Sequence, residues 1–143
     1  MKKKLALFAV AATFAFVAVA QPRVAHAQNN LTTAKYVASH MLVHVVKMAD
    51  ILDKNVNTPD KAVAEITAYF NHKKRVKEFK ALAAKAKGMT LSSADKAALK
   101  KWMKGRKELK KVETSFKNFA KKNPQALQQL LGVFMKLQKL MPM

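Results

Sequence analysis

The chain contains no cysteine at all. That excludes a disulfide, a cysteine-ligated zinc, lipid attachment at a lipobox cysteine and covalently held c-type haem. It has only three glycines and four prolines in 143 residues. No glycine-rich phosphate loop is present, and no alternating apolar–polar run suggests a strand. Acidic residues are scarce: eight Asp and Glu face 28 Lys and Arg, for a net charge of +20. No close carboxylate pair is offered for general acid–base chemistry, no Glu-x-x-His repeat for a di-iron centre, and no Ser–His–Asp spacing. A non-enzymatic protein without a cofactor is expected.

What is present begins with an export signal. Lys2, Lys3 and Lys4 precede Leu5–Ala20, sixteen residues without a charge. That run is shorter than the ~20 residues that span a bilayer comfortably, and it suits the apolar core of a signal peptide. Pro22 ends it, and Ala25-His26-Ala27 supplies the small residues needed at −1 and −3. A cut after Ala27 is expected, giving a soluble product that starts at Gln28. A cut after Ala20 would leave no polar segment before the cleavage site, and an uncleaved anchor would call for a longer span. The localisation this implies is periplasmic or secreted. Residues 28–143 are one domain by length, long enough to bury a core without covalent staples.

Apolar residues then recur at steps of three and four, the period of a buried helical stripe. Leu31, Ala34, Ala38, Met41, Val45, Met48 and Leu52 form the first seam. Thr58-Pro59-Asp60 is a helix start: a capping hydroxyl, proline at the first position, an acid in the first turn. The second seam is less regular. Ala62, Ile66, Tyr69 and Phe70 face one way, and Val76, Phe79, Ala83 and Ala86 are rotated, so a bend is expected near Asn71-His72. Gly88 is the residue preferred at a left-handed C-terminal cap. Ser92 with Asp95 is a variant capping box opening a third seam of Ala98, Trp102, Gly105, Leu109, Val112, Phe116 and Phe119. Gly105 on that seam implies either a bulky neighbour such as Tyr69 or Phe70 pressing there, or a tolerated defect. Asn123-Pro124 restarts the chain, and Leu127, Leu130, Leu131, Phe134, Leu137 and Met141 form the fourth seam. Short links between long helices make neighbours antiparallel. The expected fold is all-α: a single-domain antiparallel four-helix bundle, up-down-up-down, following a cleaved signal peptide over 1–27. Its helices run over about 31–54, 59–87, 92–122 and 124–141.

Charge is unevenly spread along this plan. Of the 28 basic residues, Lys2, Lys3, Lys4 and Arg23 precede residue 28, so the processed chain carries +16. Residues 73–107 hold thirteen bases, namely Lys73, Lys74, Arg75, Lys77, Lys80, Lys85, Lys87, Lys96, Lys100, Lys101, Lys104, Arg106 and Lys107, against Glu78 and Asp95. In an up-down bundle these gather at the pole between helices two and three. The chain termini join them there, and Lys35, Lys136 and Lys139 raise that pole to +14. Helix four, roughly 25 Å long at ~1.5 Å per residue, starts at the other pole and leaves this one as a projecting, alanine-rich hairpin. A lysine-rich surface can serve solubility alone, but its concentration at one end opposes folding by self-repulsion and would collect anionic partners. Nearly all the bases are lysines, point charges without the planar fork that reads base edges. Sequence-specific nucleic-acid recognition is therefore not expected.

His40 and His44, one turn apart, are weak candidates for a divalent metal, with Met41 or Met48 suited to copper. On the wheel His40 points away from the seam and His44 lies at its flank. His72 would lie on the inner stripe of a straight second helix with Tyr69, Val76 and Phe79. The layout resembles that of exported haem bundles such as cytochrome c′, in architecture alone: helix four has no histidine to serve as axial ligand. The expected function is an exported helical interaction protein. Its lysine-rich pole would bind an anionic surface or polymer (lipid headgroups, lipopolysaccharide, cell-wall polymers or acidic polypeptides), with peripheral membrane contact. The alternatives are a small metal- or ligand-carrying bundle and a chaperone-like holder of unfolded exported proteins.

Overall fold

The computed structural model describes residues 30–87 and 89–140. The leader expected over 1–27, the Gly88 cap and the burial of Leu137 and Met141 lie outside the described residues or side chains. Among the described residues helix is the only regular secondary structure. Its six helices are α1 (Asn30–Lys54), α2 (Pro59–Asn71), α3 (Lys73–Lys87), α4 (Ser93–Lys104), α5 (Lys107–Lys122) and α6 (Ala126–Leu140). No helix among those residues is long and apolar enough to cross a membrane.

α1 is the axis of the molecule. Its expected seam is buried from Ala34 to Leu52, joined by Val37, Leu42, Ala49 and His44. α2, α3, α4 and α5 all pack on it, α5 most extensively, and α6 packs on α2 and α3. α1 and α5 run in the same direction. Contacts advance together from Ser39–Arg106 through Asp50–Lys111 and Asp53–Ser115 to Asn57–Lys122. Against α3, in contrast, Tyr36 meets Lys85 and His44 meets Glu78, so that pair is antiparallel. Met41, Val45, Leu109, Phe116, Leu130 and Phe134 share one core, with Trp102 partly buried against it.

The turn between α1 and α2 is organised by Asn55, a buried polar residue. Its amide nitrogen donates to the Ile51 carbonyl at 2.9 Å and to Glu65 Oε2 at 3.1 Å. Thr58 occupies the N-cap position of α2, but its hydroxyl donates to Asn55 Oδ1 at 3.3 Å instead of capping the helix. The expected capping bond is replaced by one that braces the turn. At the other link Ser92 does cap, accepting from the Asp95 N–H at 3.1 Å. Asn123 Nδ2 donates to the Val56 carbonyl at 2.7 Å, tying the α5–α6 turn to the α1–α2 turn.

Two of the four expected rods are interrupted. The second breaks at His72, whose extended backbone (φ −62°, ψ 127°) separates α2 from α3 where the seam rotates. His72 is exposed there rather than on an inner stripe. The third breaks at Gly105–Arg106, where the sequence reads as one unbroken series. This changes the face that α4 buries. Leu99 and Met103 point inward, Ala98 is exposed and Trp102 half-buried. A break frees α4 to rotate by one residue relative to α5, and the larger flexible apolar side chains take the interior. Gly105 is exposed, and no bulky neighbour presses on it. A Cβ there would meet only the Trp102 carbonyl oxygen at 3.6 Å and the Lys101 carbonyl oxygen at 3.9 Å.

The α3–α4 end is not a projecting hairpin. Leu82, Ala83, Ala86, Met89 and Leu91 are buried, and Asn30 at the start of α1 donates to the Thr90 carbonyl. α6 packs mainly on α2 and also touches α3. Met89 and Leu91 flank the link and pull it down onto the core, a contribution the alanine-rich pattern conceals.

Candidate functional site

The thirteen basic residues of 73–107 divide by side-chain type. All eleven lysines are exposed: Lys73, Lys74, Lys77, Lys80, Lys85, Lys87, Lys96, Lys100, Lys101, Lys104 and Lys107. None pairs with a carboxylate among the described residues, where the ion pairs are Lys111–Asp50 and His44–Glu78. Lys85 lies over the Tyr36 ring, its Nζ 4.1 Å from the ring centre.

Both arginines are half-buried and turned to structural work. The Arg75 guanidinium lies 3.7 Å from the centre of the Tyr69 ring and donates to the Tyr69 carbonyl at 3.2 Å, bracing the break at His72. Arg106 lies 4.4 Å from the Trp102 ring centre and reaches Ser39 Oγ at 3.5 Å across to α1. Cation–π stacking on a partly buried ring keeps the arginine stem and ring out of water while leaving the charge paired with a π face. The exposed bases of 73–107 are therefore the lysines.

Apart from Glu78 and Asp95, the carboxylates lie outside 73–107 in the sequence. Asp53 accepts from Ser115 at 2.9 Å, Glu65 from Asn55 at 3.1 Å, and Asp50 from Lys111 at 2.6 Å. The Asp50 carboxylate also holds the Lys111 amino group above its ordinary pKa. Near the start of α1, Lys85 of α3 lies against Tyr36, and Lys35 of α1 has its Nζ 5.9 Å from the Trp102 ring centre on α4.

The histidines come together in part. His40 and His44 line one open groove of about 170 Å³ with Tyr36, Glu78, Leu82 and Lys85. They do different things in it. His40 is exposed, stacks on Tyr36 at 4.0 Å and holds its Nδ1 2.8 Å from the Tyr36 carbonyl oxygen. His44 is buried, with Nδ1 2.8 Å from the Tyr69 hydroxyl, Nε2 3.6 Å from Glu78 Oε2, and its ring 4.7 Å from that of Phe79. Burial lowers its pKa; Glu78 opposes that shift, and Arg75 and His40 reinforce it. His44 is thus a three-helix joint, not the flank residue its wheel position suggests. The residues that join it, Tyr69 and Glu78, carry no sequence signal beyond their places on the second rod. Among the described residues no three His, Cys, Asp or Glu side chains are grouped to hold a metal.

No family model, no curated protein and no solved structure matches this chain.

Proposed function

We propose that the chain is an exported interaction protein, processed after Ala27, which binds anionic surfaces or polymers through the lysines of α3, α4 and the start of α5. It carries out no chemistry of its own and holds no cofactor. The architecture we attach to this reading is a four-rod bundle in which α2–α3 and α4–α5 are each one interrupted rod and directions alternate along the chain. The observation that carries the reading is that eleven exposed lysines lie in one stretch, none paired with a carboxylate among the described residues. A surface kept only for solubility works best with both signs interspersed. An unpaired field of one sign raises the local concentration of anions and is screened within a Debye length of about 10 Å at moderate salt.

The test is a charge swap between two regions. Lys80, Lys100, Lys101 and Lys104 changed together to Gln should weaken binding to anionic vesicles and to soluble polyphosphate by orders of magnitude, at ~1 kcal/mol per lysine near such a surface. The same change at Lys54, Lys61, Lys121 and Lys122 should matter far less, and high salt should erase the difference. Equal weakening by both sets overturns the reading. Mass spectrometry of the exported protein should find Gln28 at its N-terminus; Leu5 still attached would overturn the processing.

A further inference from the structure

The lysine field has a gap in it. The exposed positions of α1 follow a single outer stripe: Thr32, Tyr36, His40, Val43, then Lys47. In a protein of net charge +20, its first four positions carry neither lysine nor carboxylate. Two of them are large apolar side chains left in water, Tyr36 at 45% and Val43 at 59% exposure. Two helical turns separate them, so they share one face. Isolated exposed apolar residues are ordinary. An uncharged stripe bordered by lysines is less so.

The borders are defined by contacts. On one side α3 brings Lys85 over the Tyr36 ring, and Glu78, earlier on that helix, lines the same groove with its carboxylate 3.6 Å from His44 Nε2. On the other, α4 lies close enough for Lys35 to reach over Trp102. Below, Lys47 continues the stripe after Val43. The first carboxylate on the stripe, Asp50, is already paired with Lys111. An uncharged strip carrying an exposed ring and an exposed valine, with ammonium groups of Lys47 and Lys85 at its rim, matches the layered chemistry of a membrane interface. Apolar side chains enter the acyl boundary, the tyrosine hydroxyl stays at headgroup depth, and the lysines meet lipid phosphates. A second copy of the chain would fit poorly, because its Lys47 and Lys85 would be brought against the same lysines.

We propose that the α1 stripe Thr32–Tyr36–His40–Val43 seats on an anionic phospholipid bilayer, with Tyr36 and Val43 entering the interface and Lys47 and Lys85 contacting headgroup phosphates. This rests on the reading of the lysine field as an anion-binding surface and assigns it a bilayer as partner.

The chain has no cysteine, so a single Val43→Cys change takes one polarity-sensitive fluorophore at the stripe. Gln129→Cys, exposed on α6, is the control. Using the protein isolated after export, phosphatidylglycerol vesicles should blue-shift the label at 43 and leave the label at 129 unchanged. Soluble polyphosphate should shift neither. Tyr36→Ser with Val43→Ser should lower vesicle affinity about tenfold or more while polyphosphate affinity and helicity stay as in the parent. All variants share one N-terminus, so any contribution of the leader cancels in the comparison. A parent that binds polyphosphate but not vesicles overturns the bilayer proposal and leaves the anion-binding reading standing. So does a vesicle-bound protein whose label at 43 does not shift. A parent that binds neither at low salt overturns both.

Discussion

The second and third rods are each broken once, at His72 and at Gly105–Arg106, and at each break an arginine sits over an aromatic ring from the helix before it. The two joints are nevertheless unequal. At the first, Tyr69 is held from both sides: its ring under Arg75, its hydroxyl 2.8 Å from His44 Nδ1. Phe70 and Phe79 close the floor, with ring centres 5.5 Å apart. At the second, Arg106 makes only a long 3.5 Å contact to Ser39, and its Nε is buried without a partner among the described residues. Trp102 there is only half-buried. A break tied to a third helix becomes part of the core. The second break meets α1 only through the Arg106 and Lys35 side chains, and stays at the edge of the core.

The largest effect that could undo this contrast is in the packing. Phe79→Ala, at a position almost wholly buried, should cost ~3–5 kcal/mol in chemical denaturation, as aromatic truncations in a core do. Trp102→Ala should cost less than that despite removing a larger ring, because the ring is only partly buried at the edge of the core. Equal costs would mean the second joint is as firmly seated as the first.

Next in size is the hydrogen-bonded part of the first joint. Tyr69→Phe leaves a buried imidazole nitrogen without its partner and should cost ~1–3 kcal/mol. The same joint makes stability depend on pH. His44 is buried and its pKa is lowered, so the unfolded chain binds the proton more readily than the folded one. This contribution to stability is fully present above the ordinary histidine value of about 6.5 and is lost as pH falls from there through the lower folded value. Unfolding curves collected through that window should show the decline, and His44→Asn should flatten it. A slope unchanged by His44→Asn would place the titrating group elsewhere.

The arginines separate the joints more finely. Arg75→Met removes a stacked cation and a hydrogen bond to the Tyr69 carbonyl and should cost ~1 kcal/mol. Arg106→Met keeps the apolar cover on Trp102 and removes an unpartnered Nε, so thermal denaturation should show it near neutral. Smallest is Gly105→Ala. The residue has φ −77° and room for a methyl group. The substitution should stabilise by ~0.4–1 kcal/mol, chiefly by restricting the unfolded chain. Destabilisation would reveal that the break needs glycine's freedom.

Much of this molecule was determined by its residues alone. Apolar side chains at steps of three and four leave no other way to hide so much surface, so helices and most of their buried faces are legible from Ala34 to Phe134. The lysine surplus and its crowding into 73–107 are likewise properties of the sequence. The first break was legible too, because the rotated seam around His72 cannot be buried by a straight rod. The second was not. Gly105 completes a regular series on paper, and only the competition of Leu99 and Met103 with Ala98 and Trp102 for one interior decided which face turned inward. Tertiary structure also decided that α5 packs on α1 more extensively than α2, α3 or α4 does, and that two arginines became braces while the lysines of 73–107 stayed exposed. It drew His44 into a joint with Tyr69 and Glu78 from the other rod. These outcomes depend on which groups meet across helices, and helical spacing within one segment carries no information about its neighbours.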